Sequence, residues 1–101
     1  MFVYNVTIKV KHEIHEPWLS WLMDEHIPEV METGCFSGNR VLRLLEMDEA
    51  EGVTYTVQYE AESKAQYNHY INKFAPLLRD KSFKQWGDAF IAFRTIMQIV
   101  N

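Results

Sequence analysis

A single cysteine, Cys35, excludes an intramolecular disulfide. Only three prolines and four glycines occur among 101 residues, and they form no low-complexity segment or interdomain linker. Basic residues are outnumbered, 10 Lys and Arg against 14 Asp and Glu, for a net charge of −4. Phosphate neutralisation needs clustered Lys and Arg, so nucleic acid is excluded as a partner class. No apolar run approaches the roughly 20 residues that span a bilayer, and no basic amphipathic stretch marks a membrane surface. No basic segment followed by an apolar one precedes the first strand, so the expectation is a cytoplasmic chain without a signal peptide. Glycine-rich phosphate loops, nucleophile elbows and paired-cysteine metal sites are all missing, and no cofactor or metal is expected.

What is present is apolar patterning, with 48% hydrophobic and 14% aromatic residues, enough for one core in a single domain spanning 1–101. Residues 2–11 alternate, with Phe2, Tyr4, Val6, Ile8 and Val10 on one face and Asn5, Thr7 and Lys9 on the other, which predicts a half-buried strand. A helix is expected over 17–33, burying Leu19, Leu22, Met23, His26 and Val30, with Pro28 kinking or splitting it and Gly34 as its left-handed cap. Strands over 39–47 and 53–60 flank an acidic hairpin turn at 48–52. Ser63 and Gln66 form a capping-box signature for a second helix with a buried stripe of Tyr67, Tyr70, Ile71, Phe74 and Leu78. Ala75-Pro76 breaks it, a short extra turn or helix reaches Trp86, and a last strand covers 90–100.

The order β-α-β-β-α-β with an antiparallel four-stranded sheet is a ferredoxin-like α+β fold. Both helices of that fold pack on one side of the sheet. The last strand is apolar on both faces: Ile91, Phe93, Met97 and Ile99 on one, Phe90, Ala92, Ile96 and Val100 with Arg94 and Gln98 on the other. The second set, with Leu42 and Leu44, is assigned to the uncovered side. Burying each such side chain is worth about 1.5–3 kcal/mol, enough together to drive pairing into a homodimer. The alternative is a monomer in which 76–86 folds over that side.

His26, in the middle of an apolar helix face, is expected to approach Tyr4, Tyr55 and Tyr59. A half-buried imidazole near phenols can act as a general base or hold the polar end of a ligand, but a core histidine satisfied by a tyrosine or carbonyl fits the same pattern. Tyr4, Trp18, His26, Tyr55, Tyr59 and Tyr67 together are the candidate lining of an aromatic pocket, or else simple core. Trp21 points away from the main buried face, toward the partner or toward Phe83 and Trp86. His12 and His15, with Glu13 and Glu16, are too loosely spaced for a metal site and read as solvated loop residues, and His69 reads as surface. Arg40, Arg43 and Arg94 are assigned to pairing with Glu46 or Glu60 across a dimer. Cys35 reads as a buried structural thiol.

Trp18-Leu19-Ser20-Trp21-Leu22, His26-Ile27-Pro28-Glu29-Val30 and Thr33-Gly34-Cys35-Phe36 resemble a small bacterial family known as a domain of unknown function, number 4286. Thr54 to Tyr59, Ala75 to Arg79 and Ala92 to Met97 extend the resemblance over nearly the whole chain. That family is similar to the dimeric α+β barrel superfamily, in which two ferredoxin-like sheets pair into a barrel. The resemblance implies relatives among cofactor-free monooxygenases, muconolactone-type isomerases, haem-degrading enzymes and stress-responsive barrel proteins. The asparagine-and-tryptophan site of quinol-forming monooxygenases has no clear counterpart here. Three functions follow as expectations: a binder of a small apolar or aromatic molecule beside His26, an isomerase- or monooxygenase-like enzyme with His26 as base and Tyr55 or Tyr59 orienting the substrate, and a structural or regulatory module without a ligand.

Overall fold

Alternating side chains make strand β1 at Phe2–Val10 and strand β3 at Val53–Ala61. In the computed structural model, which describes residues 1–101, these strands pair antiparallel over their full length, from Phe2 opposite Ala61 to Val10 opposite Val53. β2, Gly38–Arg43, adds to β3, and β4, Phe90–Gln98, adds to β1. The resulting order, β2-β3-β1-β4, is the antiparallel ferredoxin-like sheet that the sequence order implies.

β2 is shorter than the alternation suggests. Leu44 N–H still donates to the Thr54 carbonyl at 3.0 Å, but Glu46 then takes a φ of 57° and swings the chain off the sheet. Leu45 and Met47 are left exposed, at 78% and 48%. The return into β3 passes Gly52, which lies so close to β1 that any Cβ there would run into the Val10 carbonyl oxygen.

The first helical region is split in the manner Pro28 demands. A 3₁₀ turn at His12–Ile14 leads into α1, His15–Trp21, then a wide π turn over Leu22–His26, then α2, Ile27–Glu32. Pro28 has no N–H and its ring crowds the carbonyl four residues back, so the turn ahead of it widens and Ile27 N–H reaches the Leu22 carbonyl instead. The extra residue shifts the buried register. Trp18 and Leu22 bury four residues apart, Ile27 follows after five and Val30 after three. A uniform helical period places Met23 inside; with the π turn it is 51% exposed.

Gly34, at φ 76°, ends this region as the expected left-handed cap. α3, Lys64–Lys73, starts on Ser63, whose Oγ accepts from Gln66 N–H at 3.1 Å. α4, Ala75–Trp86, is a full 12-residue helix rather than a short turn, ending at Gly87 with φ 60°. It packs on the same side of the sheet as α1 and α2: Trp86 meets Trp21 edge-on at 5.8 Å, and Lys81 pairs with Glu29 at 2.7 Å. The segment 76–86 therefore does not cover the other side of the sheet.

That other side differs from expectation in which residues it carries. Because Val10 pairs with Phe90, Ile8 with Ala92 and Tyr4 with Ile96, those β4 residues face the helices and pack on the core. Ile91, Phe93 and Met97 face outward instead, at 54%, 64% and 42% exposure. The outward rows run Leu42, Thr56, Thr7, Phe93, with apolar side chains flanking a polar centre, and then Arg40, Gln58, Asn5, Thr95, polar throughout. An edge strand apolar on both faces carries no alternation from which its orientation can be read.

Candidate functional site

The helix-facing side of the sheet meets the helices in an aromatic layer. Tyr4, on the central strand, lies within 6.0 Å, centroid to centroid, of Phe36, Tyr59, Tyr67 and Tyr70. Such pairs add about 0.5–1.5 kcal/mol each beyond area burial. Burial of Tyr59 and Tyr70 pushes both phenols well above their ordinary pKa, with neighbouring tyrosines adding to the effect. They stay protonated and can donate.

Beside this layer the π turn delivers His26. Its ring stacks on Trp21 at 4.7 Å and 23° between planes. Neither ring nitrogen has a hydrogen-bond partner in the protein. Burial lowers the imidazole pKa from 6.5 to about 4; the Glu29 charge opposes that, and Arg94 and Lys81 reinforce it. At neutral pH His26 is therefore an uncharged imidazole, able to accept at one nitrogen and donate at the other.

His26 borders two small clefts of about 40 and 60 Å³ between the helices and the sheet, and an open surface groove of about 370 Å³ that it shares with Glu25, Glu29, Lys81 and Lys84. Tyr4 and Tyr59 line the first and Trp18 the second. The two clefts have room for a few waters, well short of the roughly 300–1,000 Å³ of a drug-sized pocket. Leu22, Arg79, Ser82 and Arg94 line both. A larger open groove of about 670 Å³ lies at the sheet end around Lys9, His12 and Phe90, away from His26. None of the six residues chosen from sequence lines it.

Of those six, Tyr4, Trp18, His26 and Tyr59 border the two clefts and two do not. Tyr55 turns to His15, its hydroxyl 2.6 Å from His15 Nε2, and also lies against Trp18 at 5.9 Å. Tyr67 is half-buried on the far side of Tyr4, with the Lys64 ammonium 5.3 Å from its ring centre. His12 and His15 are not free loop residues: His12 Nε2 donates to the Glu49 carbonyl at 2.5 Å, and His15 is packed against Tyr55. Trp21 is covered by Trp86 of the same chain.

The sequence reading passed over Arg79 and Ser82 altogether. Arg79 Nη2 donates to the Tyr4 hydroxyl at 3.1 Å across 75 residues, and Ser82 Oγ donates to the Leu78 carbonyl at 3.0 Å. Arg94 pairs in register with Val6 on the helix-facing side, whereas Glu60 pairs with Val3 on the outer side. Arg94 thus faces away from the sheet surface on which Glu60 lies. Within the chain Arg43 pairs with Glu49 of its own hairpin at 2.9 Å, and Arg40 donates to Gln58 at 3.0 Å. Cys35 is buried, and no helix is long and apolar enough to cross a membrane.

Solved structures with this arrangement include a dimeric ferredoxin-like protein from an uncultured marine organism, at 12% identity and TM-score 0.73, covering 99% of this chain and 95% of that one. An ethyl tert-butyl ether D family protein from Bacillus halodurans matches at 12% identity and TM-score 0.68, over 99% and 100% of the two chains. SnoaB from Streptomyces nogalater, described as a cofactor-independent oxygenase, matches at 9% identity and TM-score 0.63, over 99% and 94%. Identities this low establish the shared fold and nothing of the chemistry. No curated protein matches in sequence. The family model for the domain of unknown function DUF4286 matches residues 1–100, and the chain belongs to that family.

Proposed function

We propose that the chain forms a homodimer through the outer side of its sheet and that each subunit binds a small, partly apolar or aromatic molecule in the helix–sheet clefts beside His26. One observation carries the binding reading: an uncharged, half-buried imidazole without a protein partner borders a small cleft lined by phenols and apolar side chains. The His26 ring nitrogens reach solvent, since Trp86 Nε1 alone is a buried side-chain polar atom without a partner, and are open to a ligand as well as to water. The ligand reading requires the two clefts, which share Leu22, His26, Arg79, Ser82 and Arg94, to join. The dimer reading rests on Ile91, Phe93, Met97 and Leu42, which stand exposed on one sheet face, and on the dimeric description of a structural neighbour.

An enzyme is the second reading, motivated by the cofactor-independent oxygenase among the structural neighbours. Here His26 takes a proton from the substrate while Tyr59 orients it. Its lowered pKa weighs against this in the empty site: drawing a proton from a phenol near pKa 10 onto a group near 4 is uphill by about 8 kcal/mol. An enzyme of this kind needs the bound substrate to restore basicity to His26. A purely structural module is the remaining outcome.

Titrating benzamide, and then benzoate, into isotopically labelled protein tests the binding reading. Saturable shifts at Leu22, His26 and Tyr59, weakened by His26→Ala in a folded variant, are expected. Shifts that saturate with neither benzamide nor benzoate, or are unchanged by the substitution, overturn it. Turnover lost on His26→Ala with binding kept selects the enzyme.

A further inference from the structure

We propose that Arg79 and Arg94 form an oxyanion clamp over the His26 clefts, so that the ligand is a small aromatic or partly apolar carboxylate; this rests on the binding reading above. Four ion pairs occur in the protein, joining Lys9 to Glu51, Arg43 to Glu49, Lys81 to Glu29 and Lys84 to Asp80. None involves Arg79 or Arg94. On the helices, Glu29 is held by Lys81 and Asp80 by Lys84. Arg79 and Arg94 both line both clefts, and neither lining contains an Asp or Glu.

Their placement is fixed from two elements. Arg94 stands on the helix-facing side of β4, opposite Val6. Arg79 comes down from α4 and is anchored by its bond to the Tyr4 hydroxyl at 3.1 Å. Two uncompensated guanidiniums at the edge of an apolar, phenol-lined space match a carboxylate, which takes parallel hydrogen bonds from such groups while its apolar body enters the cleft. The remaining polar groups of the lining, His26, Ser82 and the tyrosine hydroxyls, are uncharged and leave the positive charge unbalanced. A carboxylate supplies the balance.

Benzoate and benzamide, equal in shape and different in charge, test the clamp by calorimetric or chemical-shift titration at constant ionic strength. Wild-type protein is expected to bind benzoate roughly 10- to 100-fold more tightly than benzamide, the range for hydrogen bonds to charged groups. Arg94→Met and Arg79→Met are each expected to reduce that ratio toward unity with benzamide affinity kept, and Arg94→Lys to retain part of it. Equal affinity of wild type for the two compounds, or an unchanged ratio in both Met variants, overturns the clamp and leaves the binding reading standing. Absence of any saturable binding of either compound overturns both. Circular dichroism of each variant confirms the fold, and the Lys variant gives the ratio independently if a Met variant does not fold.

Discussion

Acidification should destabilise this protein through one imidazole. In the unfolded chain His26 takes its proton near pH 6.5, whereas in the fold it does so only near 4, because burial and the Arg94 and Lys81 charges disfavour the cation. Between those values the unfolded state holds a proton that the folded state lacks, so stability falls as pH falls. At about 1.4 kcal/mol per pH unit, the contribution lost is about 2 kcal/mol by pH 5 and about 3 kcal/mol by pH 4. Above pH 6.5 it is fully present. Urea unfolding of wild type and of His26→Gln, at matched protein concentration from pH 7 to pH 4, isolates the term, because every other titrating group cancels in the difference. The variant should become less sensitive to acid by those amounts. Direct titration of the imidazole by NMR gives the same quantity, with a midpoint expected near 4. A midpoint between 6 and 7, with pH profiles that run parallel in the two proteins, would falsify the placement of His26 as a desolvated group.

Three further expectations concern the fold and its association. Phe93→Arg puts a charge on the outer face, where Phe93 is 64% exposed, and should leave the monomer folded while shifting sedimentation from dimer to monomer; an unchanged dimer removes that face from the interface. Gly52→Ala forces a methyl group against the Val10 carbonyl and should cost about 1–3 kcal/mol in denaturant unfolding, and a neutral result contradicts the close approach of the turn to β1. Ser63→Ala removes the Oγ that accepts from Gln66 N–H and should cost about 0.5–2 kcal/mol, with Ser63→Asp restoring most of it; equal losses in both show that the cap contributes nothing.

Local chemistry made part of this architecture legible in advance. β1 and β3 announce themselves through two-residue alternation, Ser63 and Gln66 through their spacing, Gly34 through its place after the helix, and Pro28 through its missing N–H. Each signal acts within a few residues, so the chain alone suffices to read it. The position of His26 on the inner side of its helix was legible for the same reason, and so was the burial of Tyr4 and Tyr59.

What escaped was one local irregularity and the contacts between residues far apart in sequence. The π turn displaced Met23 to the surface, since a uniform helical period does not anticipate one extra residue in the turn ahead of Pro28. Pairing of β4 with β1 decided which of two apolar sets faces outward, and put Arg94 on the cleft side. His15 found Tyr55 across 40 residues, and Arg79 found Tyr4 across 75. The sequence by itself determined the element types, their order and the ferredoxin-like sheet, because hydrophobic periodicity and capping are local properties of the backbone. Only the tertiary structure decided which charges stand unpaired beside the half-buried imidazole, because strand register and helix packing, not sequence spacing, bring those side chains together.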